Sequence, residues 1–266
     1  MKKFWGFLLV IVLMTSCGEY QSLLKSNDYN LVYKKAIEYY NKGDYQRAMN
    51  LLDGVRSVFV GQAKAQNIAY YRAFCSYNMK DYQIASDLFK QFIQTYPESS
   101  FAEECLYMMG FCDYKASPKP RLDQQVTEKA IREFQLYLSR YPYRTRKDKV
   151  NTYMDEMRDK LSYKAYLSAK NYYLREHYKA AVISLQNCLK DYPGSKYREE
   201  IMYMLFVSKY QMAVNSVEDK KVERYNNARE EYYYFADEYP NSRYAADVKK
   251  MYEDIEAYLE NYKFED

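Results

Sequence analysis

Bond-making chemistry needs a nucleophile with a base, a cluster of metal ligands or a phosphate cradle, so the residues able to supply these come first. The chain has one histidine, His177, in the run Glu176-His177-Tyr178. It reads as a surface residue at a turn. The carboxylate pairs Glu103-Glu104, Glu199-Glu200 and Glu230-Glu231 are adjacent. On a helix such neighbours point about 100° apart and cannot converge on one proton, so they read as solvated faces. Cys75, Cys105, Cys112 and Cys188 show no C-x-x-C spacing of the kind that holds zinc. Cys105 and Cys112 would lie about 10 Å apart on one helix and cannot bond each other. All four read as small buried hydrophobes, with a bridge from Cys75 to Cys105 or Cys112 left open. The residues therefore predict no enzyme, no metal site and no cofactor.

Cys17 stands apart. Met1-Lys2-Lys3 is a short positive region, Phe4 to Met14 is almost unbroken apolar sequence, and Thr15-Ser16 precede the cysteine. That order is a secretory signal, and its apolar run is too short to span a bilayer, which takes roughly 20 residues. Leu13-Met14-Thr15-Ser16-Cys17 resembles a bacterial lipobox, with Met14 where leucine is usual. In that motif the thiol is acylated and the cysteine becomes the first mature residue. Several acyl chains, at about 0.8 kcal/mol per buried methylene, make a stable anchor. Gly18 after the cysteine, rather than aspartate, resembles lipoproteins passed on to the outer membrane. Residues 1–16 are thus expected to be the signal, 17–27 a lipidated linker, and the rest a lipid-anchored, periplasmic body.

Only 7 glycines and 6 prolines stand in the 266 residues, too few for the turns of a sandwich or barrel. Helices are the expectation. Forty basic against 36 acidic residues leave a formal charge of +4, so both signs are interspersed and no nucleic-acid partner is indicated. The densest basic run, Arg144-Thr145-Arg146-Lys147, is followed by Asp148 and reads as a solvated interhelix connection. The 35 tyrosines pair an apolar ring with a hydroxyl that can stay wet. Most must pack between helices, while some can line a peptide-binding surface.

A repeat organises these elements. Ala85, Ala130, Ala181 and Ala228 each precede a Tyr-Pro proline by twelve residues: Pro97, Pro142, Pro193 and Pro240. A large apolar residue follows each alanine by four: Phe89, Phe134, Leu185 and Tyr232. Alanine suits a close helix crossing, the apolar residue fills the core one turn on, and proline ends the helix. A first copy has Ala48 and Leu52, with Val60 in the proline's place. This resembles the second half of a tetratricopeptide repeat. Ala36, Ala73 and Ala169 stand twelve residues before Ala48, Ala85 and Ala181, where the repeat places its small first-helix residue. Pro118 and Ser216 stand at that place in the third and fifth copies, so both must be irregular. The segment from Ala116 to Leu122 reads as an insertion, and the fourth copy as having a long first helix from about Lys147 to Arg175. Ser242 is placed to cap a last amphipathic helix. The expected fold is all-α: a right-handed superhelical array of about five tetratricopeptide-type hairpins plus a C-terminal capping helix. Repeats one to three would occupy 28–142, and repeats four and five with the cap 143–266.

The second, fifth, ninth and twelfth positions of the first helix face the concave side in this repeat family. They map to Asn30, Tyr33, Ile37 and Tyr40, and to Asn67, Tyr70, Phe74 and Tyr77. Asn30, Tyr33, Tyr40, Asn67, Tyr70 and Tyr77 are the candidate peptide-groove residues, since rings flanked by amides suit an extended peptide. The alternative is that these tyrosines fill space between repeats. The repeat family's clamp for a C-terminal carboxylate needs lysine as well as asparagine, and only asparagine is present at these positions.

The lipobox, the five repeats and the phrases Tyr96-Pro-Glu-Ser-Ser-Phe-Ala-Glu-Glu, Tyr192-Pro-Gly-Ser-Lys-Tyr and Tyr239-Pro-Asn-Ser-Arg-Tyr-Ala together resemble the BamD family of outer-membrane lipoproteins, over essentially residues 17–262. The resemblance implies a non-enzymatic scaffold of the β-barrel assembly machinery. Its amino-terminal repeats would receive unfolded outer-membrane proteins. Its carboxy-terminal repeats would dock the periplasmic domains of a BamA-like barrel subunit, with other assembly lipoproteins as further partners. Two rivals remain: another envelope interaction protein of the Tol-Pal type, or a SusD-like glycan-binding lipoprotein. The first usually carries a coiled coil and lacks a lipobox. The second is longer and rich in tryptophan, of which this chain has only Trp5.

Overall fold

The computed structural model of the protein describes residues 18–262, so Cys17 and the segment before it lie outside the described residues. Residues 18–24 form a short helix, α1. Five hairpins follow: α2 (Tyr29–Asn41) with α3 (Tyr45–Val55), α4 (Ala63–Asn78) with α5 (Tyr82–Thr95), α6 (Ala102–Ala116) with α7 (Gln125–Arg140), α8 (Lys147–Leu174) with α9 (Tyr178–Asp191), and α10 (Arg198–Val214) with α11 (Glu218–Glu238). A last helix, α12 (Ala245–Tyr262), packs on α10 and α11. The described residues contain no strand. The all-helical hairpin array and the long first helix of the fourth repeat are as the spacing predicts, and the insertion expected at 116–122 is a connection over 117–124.

The marker residues do what their chemistry implies. Ala36, Ala48, Ala73, Ala85, Ala130, Ala169, Ala181 and Ala228 are all fully buried, as are Leu52, Phe89, Phe134 and Leu185. Tyr96, Tyr141, Tyr192 and Tyr239 end their helices in one conformation, with φ between −130° and −133° and ψ between 60° and 64°. A residue before proline is driven out of the α region. Each of these tyrosines still donates its N–H to the carbonyl four residues back, at 2.8–3.0 Å. At the inner turns, Gly43, Lys80 and Glu176 take positive φ of 81°, 68° and 60° just before the next helix begins. Asp28 and Asp44 cap α2 and α3, accepting from the N–H groups of Leu31 and Arg47.

Two features depart from the spacing. In the third hairpin the close approach is made at Gly110, eight residues before Pro118: a Cβ there would lie 2.9 Å from the Phe134 ring. The insertion has displaced the register. Ser242 lies three residues before α12, which starts at Ala245; its hydroxyl accepts from the N–H of Tyr244, the residue just before that start.

The contacts form two compact units, one of residues up to Pro118 with Asp123–Met157, the other of Lys119–Leu122 with the residues from Arg158 on. Helix α8 supplies its first part to the one and the remainder to the other. Among the described residues each unit holds two buried clusters. Leu51, Leu52 and Ile68 centre one in the first unit, and Phe89, Phe92 and Phe134 the other. In the second, Leu185 with Met204 and Phe206 with Phe235 play those parts.

Candidate interaction surface

The first helices carry a repeating row. Tyr33, Tyr70 and Tyr107 are 37 residues apart, as are Ile37, Phe74 and Phe111, and Tyr40, Tyr77 and Tyr114. The third member of each set was not read from the sequence, although the 37-residue spacing was available. Rings touch along the row: Tyr40 meets Tyr71 at 4.9 Å, Tyr77 meets Phe111 at 6.2 Å, and Tyr114 meets Tyr153 of α8 at 4.4 Å. Tyr33, Tyr40, Tyr70 and Tyr77 are half-buried, so each ring both packs and shows an edge. Burial raises the Tyr40 hydroxyl to about 12, which keeps it a neutral donor at any physiological pH. Asn30 is exposed and accepts from Lys64 at 2.5 Å, whereas Asn67 is half-buried.

One joint recurs between successive repeats and explains the serine and aromatic of the Tyr-Pro phrases. After each proline, Ser99, Ser195 and Ser242 accept from the N–H two residues on. The same hydroxyls bond Gln66, Ser162 and Glu199 of the preceding first helix at 2.9, 2.8 and 2.7 Å. One helical turn further, the following aromatic meets a tyrosine: Phe101 on Tyr70 at 4.6 Å, Tyr197 on Tyr166 at 4.3 Å, Tyr244 on Tyr203 at 4.0 Å. At the third joint arginines replace both: Arg144 pairs with Glu103 at 3.2 Å, and Arg146 lies 4.7 Å over the Tyr107 ring. At the first, Lys64 lies 5.7 Å from the Tyr33 ring. A double-mutant cycle on Tyr203→Ala and Tyr244→Ala, read by urea unfolding, should give a coupling of about 0.5–1.5 kcal/mol. A coupling near zero would mean the stacked pair merely coincides.

Except for Glu230, which is exposed, the paired glutamates are engaged with neighbouring helices and are not the solvated faces their spacing suggested. Glu104 accepts from Tyr70 at 2.8 Å and Glu103 from Tyr137 at 3.0 Å. Glu200 accepts from Lys170 at 2.7 Å; burial opposes its charge, but the Lys170 and Tyr166 hydrogen bonds outweigh that and hold the carboxyl below its usual value. Glu231 is buried against Lys209. The basic run is likewise engaged through Arg144 and Arg146. His177 is exposed at the start of α9. The cysteines are buried free thiols, with desolvation first among the causes that push Cys75 to about 12 and Cys188 to about 11.

Beneath the second helices lies a cluster that the sequence did not reveal. Lys129 of α7 reaches Asp113 of α6 at 2.9 Å, and Ser86 of α5 donates to the same carboxylate at 3.0 Å. Asp113 is 2% exposed. Glu133, one turn beyond Lys129 and 3.7 Å from it, is buried beside them. Burial, then the hydrogen bond and charge of Asp113, push the Glu133 carboxyl up to about 8.

Hairpins of this kind, with ring-lined first helices and cores shared between neighbours, define a tetratricopeptide-type helical array. The chain belongs to the outer membrane lipoprotein family YfiO, whose model matches residues 25–200 and 164–265; this is the family the BamD-like phrases pointed to. No curated protein matches the sequence. Among solved structures, the yeast Sti1 TPR2AB domain in its pHSP90 complex is 14% identical over 86% of this chain and 98% of that one, with a TM-score of 0.39. A TPR-repeat protein of Bacteroides fragilis is 12% identical over 87% and 99%, with a TM-score of 0.41. No helix among the described residues is long and apolar enough to cross a membrane.

Proposed function

We propose that the protein is a lipid-anchored scaffold of outer-membrane β-barrel assembly, held to the outer membrane through acylated Cys17 with its body in the periplasm. The family match across residues 25–265 carries this reading. In it, repeats one to three, residues 28–142, receive segments of unfolded outer-membrane proteins. Repeats four and five with α12, residues 143–266, dock the periplasmic domains of the barrel subunit. The mechanism is binding and positioning.

The row at Tyr33, Tyr40, Tyr70 and Tyr77, with Asn30 and Asn67, supports a peptide site. Half-buried rings are already ordered by their neighbours, so little side-chain freedom is lost when a peptide packs on their edges. The extended peptide's main-chain groups would be met by the amides of Asn30 and Asn67 and the tyrosine hydroxyls.

A photo-crosslinking residue at Tyr40 or Tyr77, in the full lipidated chain in its own envelope, should capture unfolded barrel proteins. The same residue at Ile84, exposed on α5, should not. Equal capture at all three would remove the groove. Recovery of a surface transporter or glycan-processing enzymes, with no barrel subunit, would overturn the assembly reading in favour of the glycan-binding rival.

A further inference from the structure

A second groove lies between α5 and α7, with α6 as its floor. It encloses about 350 Å³, and its apolar wall is formed by Ile93, Leu106, Met109 and Leu136. Leu136 is 52% exposed, unusual for a leucine set among other apolar groups at a groove. Lys90 on α5 and Arg132 on α7 stand at the same groove, and neither has an ion-pair partner among the described residues. Lys129, the third cation there, is engaged with Asp113. The only acid of the lining, Glu133, has its side chain 10% exposed and its Oε2 buried away from the groove.

These features select an occupant. The volume suits one or two leucine- or phenylalanine-sized side chains, and two unpaired cations on opposite helices suit carboxylates beside them. Gln94 of the same lining is exposed, and a bound peptide can supply a main-chain N–H to its amide oxygen. An acyl chain has no such donor. We propose that the α5–α7 groove binds a peptide segment in which apolar side chains are flanked by aspartate or glutamate, contributed by a partner protein. The apolar side chain enters between Ile93 and Leu136, and Lys90 and Arg132 close on the carboxylates from either side. This site is on the second helices, separate from the first-helix tyrosine row, and does not depend on what that row receives.

The test uses the whole chain and a fluorescein-labelled peptide, acetyl-Asp-Leu-Phe-Glu-Asp-amide, read by anisotropy at low salt. Saturable binding is expected, weakened at least about tenfold in the Lys90→Glu/Arg132→Glu variant. Leu136→Ala should weaken it severalfold without altering the circular dichroism, since that side chain is half exposed. The double variant should recover binding to a peptide with lysine in place of every acid. Tyr40→Ala/Tyr77→Ala should leave binding unchanged, which separates this site from the groove of the proposed function. No saturable binding up to millimolar peptide, or equal binding by the double variant, overturns the proposal. So does co-sedimentation with phosphatidylglycerol vesicles that is lost in the double variant while the peptide does not bind.

Discussion

Phe134→Ala is expected to lower the urea-unfolding free energy of the unit that contains it by about 3–5 kcal/mol, the range for emptying a fully buried aromatic site. Phe134 has no exposure and stands within contact of the Gly110 backbone, of Tyr107 at 6.3 Å and of Tyr153 of α8 at 5.9 Å between ring centroids. It therefore ties the third hairpin to the helix that follows. The partner position should behave in the opposite sense to helix propensity. Alanine normally gains about 1 kcal/mol over glycine inside a helix. A methyl at Gly110 would meet three Phe134 ring atoms at 2.9, 3.1 and 3.3 Å, and this ring cannot swing away. Gly110→Ala should thus cost about 1–3 kcal/mol net, and less than that when Phe134 is first made leucine. A stabilised Gly110→Ala protein would show that the two helices part easily.

Glu133→Gln should change the pH dependence of stability more than any other single substitution. In the unfolded chain the carboxyl loses its proton near 4.5; in the fold it keeps it to about 8. The native state therefore binds an extra proton between those values, and its stability falls as pH rises through that window. The contribution is complete below 4.5 and gone above about 8. Wild-type protein should lose up to a few kcal/mol between pH 5 and pH 8.5. Glutamine can still donate to Asp113 but does not ionise, so the variant's profile should be flatter, with higher stability at the alkaline end. Parallel profiles for the two proteins would mean that Lys129, 3.7 Å away, already neutralises the site.

What was legible in the sequence is what is settled within one hairpin. An alanine at a crossing, an apolar residue four on and a proline at the end act over one or two turns, so Ala85, Phe89 and Pro97 announce their helix wherever it packs. Gly110 was not legible because counting back from Ala130 assumed a short turn, and the loop at 117–124 moved the crossing. The charged residues were misread for a different reason. Glu103, Glu231 and Arg146 look like solvent-facing residues one helix at a time; their partners Tyr137, Lys209 and Tyr107 sit on other helices. The Ser86, Asp113, Lys129 and Glu133 cluster draws on three helices, and no spacing within one of them marks it.

The four buried thiols set a condition on how the protein matures. Cys75, Cys105, Cys112 and Cys188 sit free inside the fold, and a thiol held protonated is a poor nucleophile toward an oxidant. On the proposed reading the chain is exported, and before folding it presents the same sulfurs to an oxidising compartment with nothing to shield them. Burial must then outrun mispairing. Hairpins built from near-neighbour contacts fold quickly, and each thiol lies within such a local unit. On that reading the architecture works as a clock: folding before oxidation would leave few wrong bridges for an isomerase to undo.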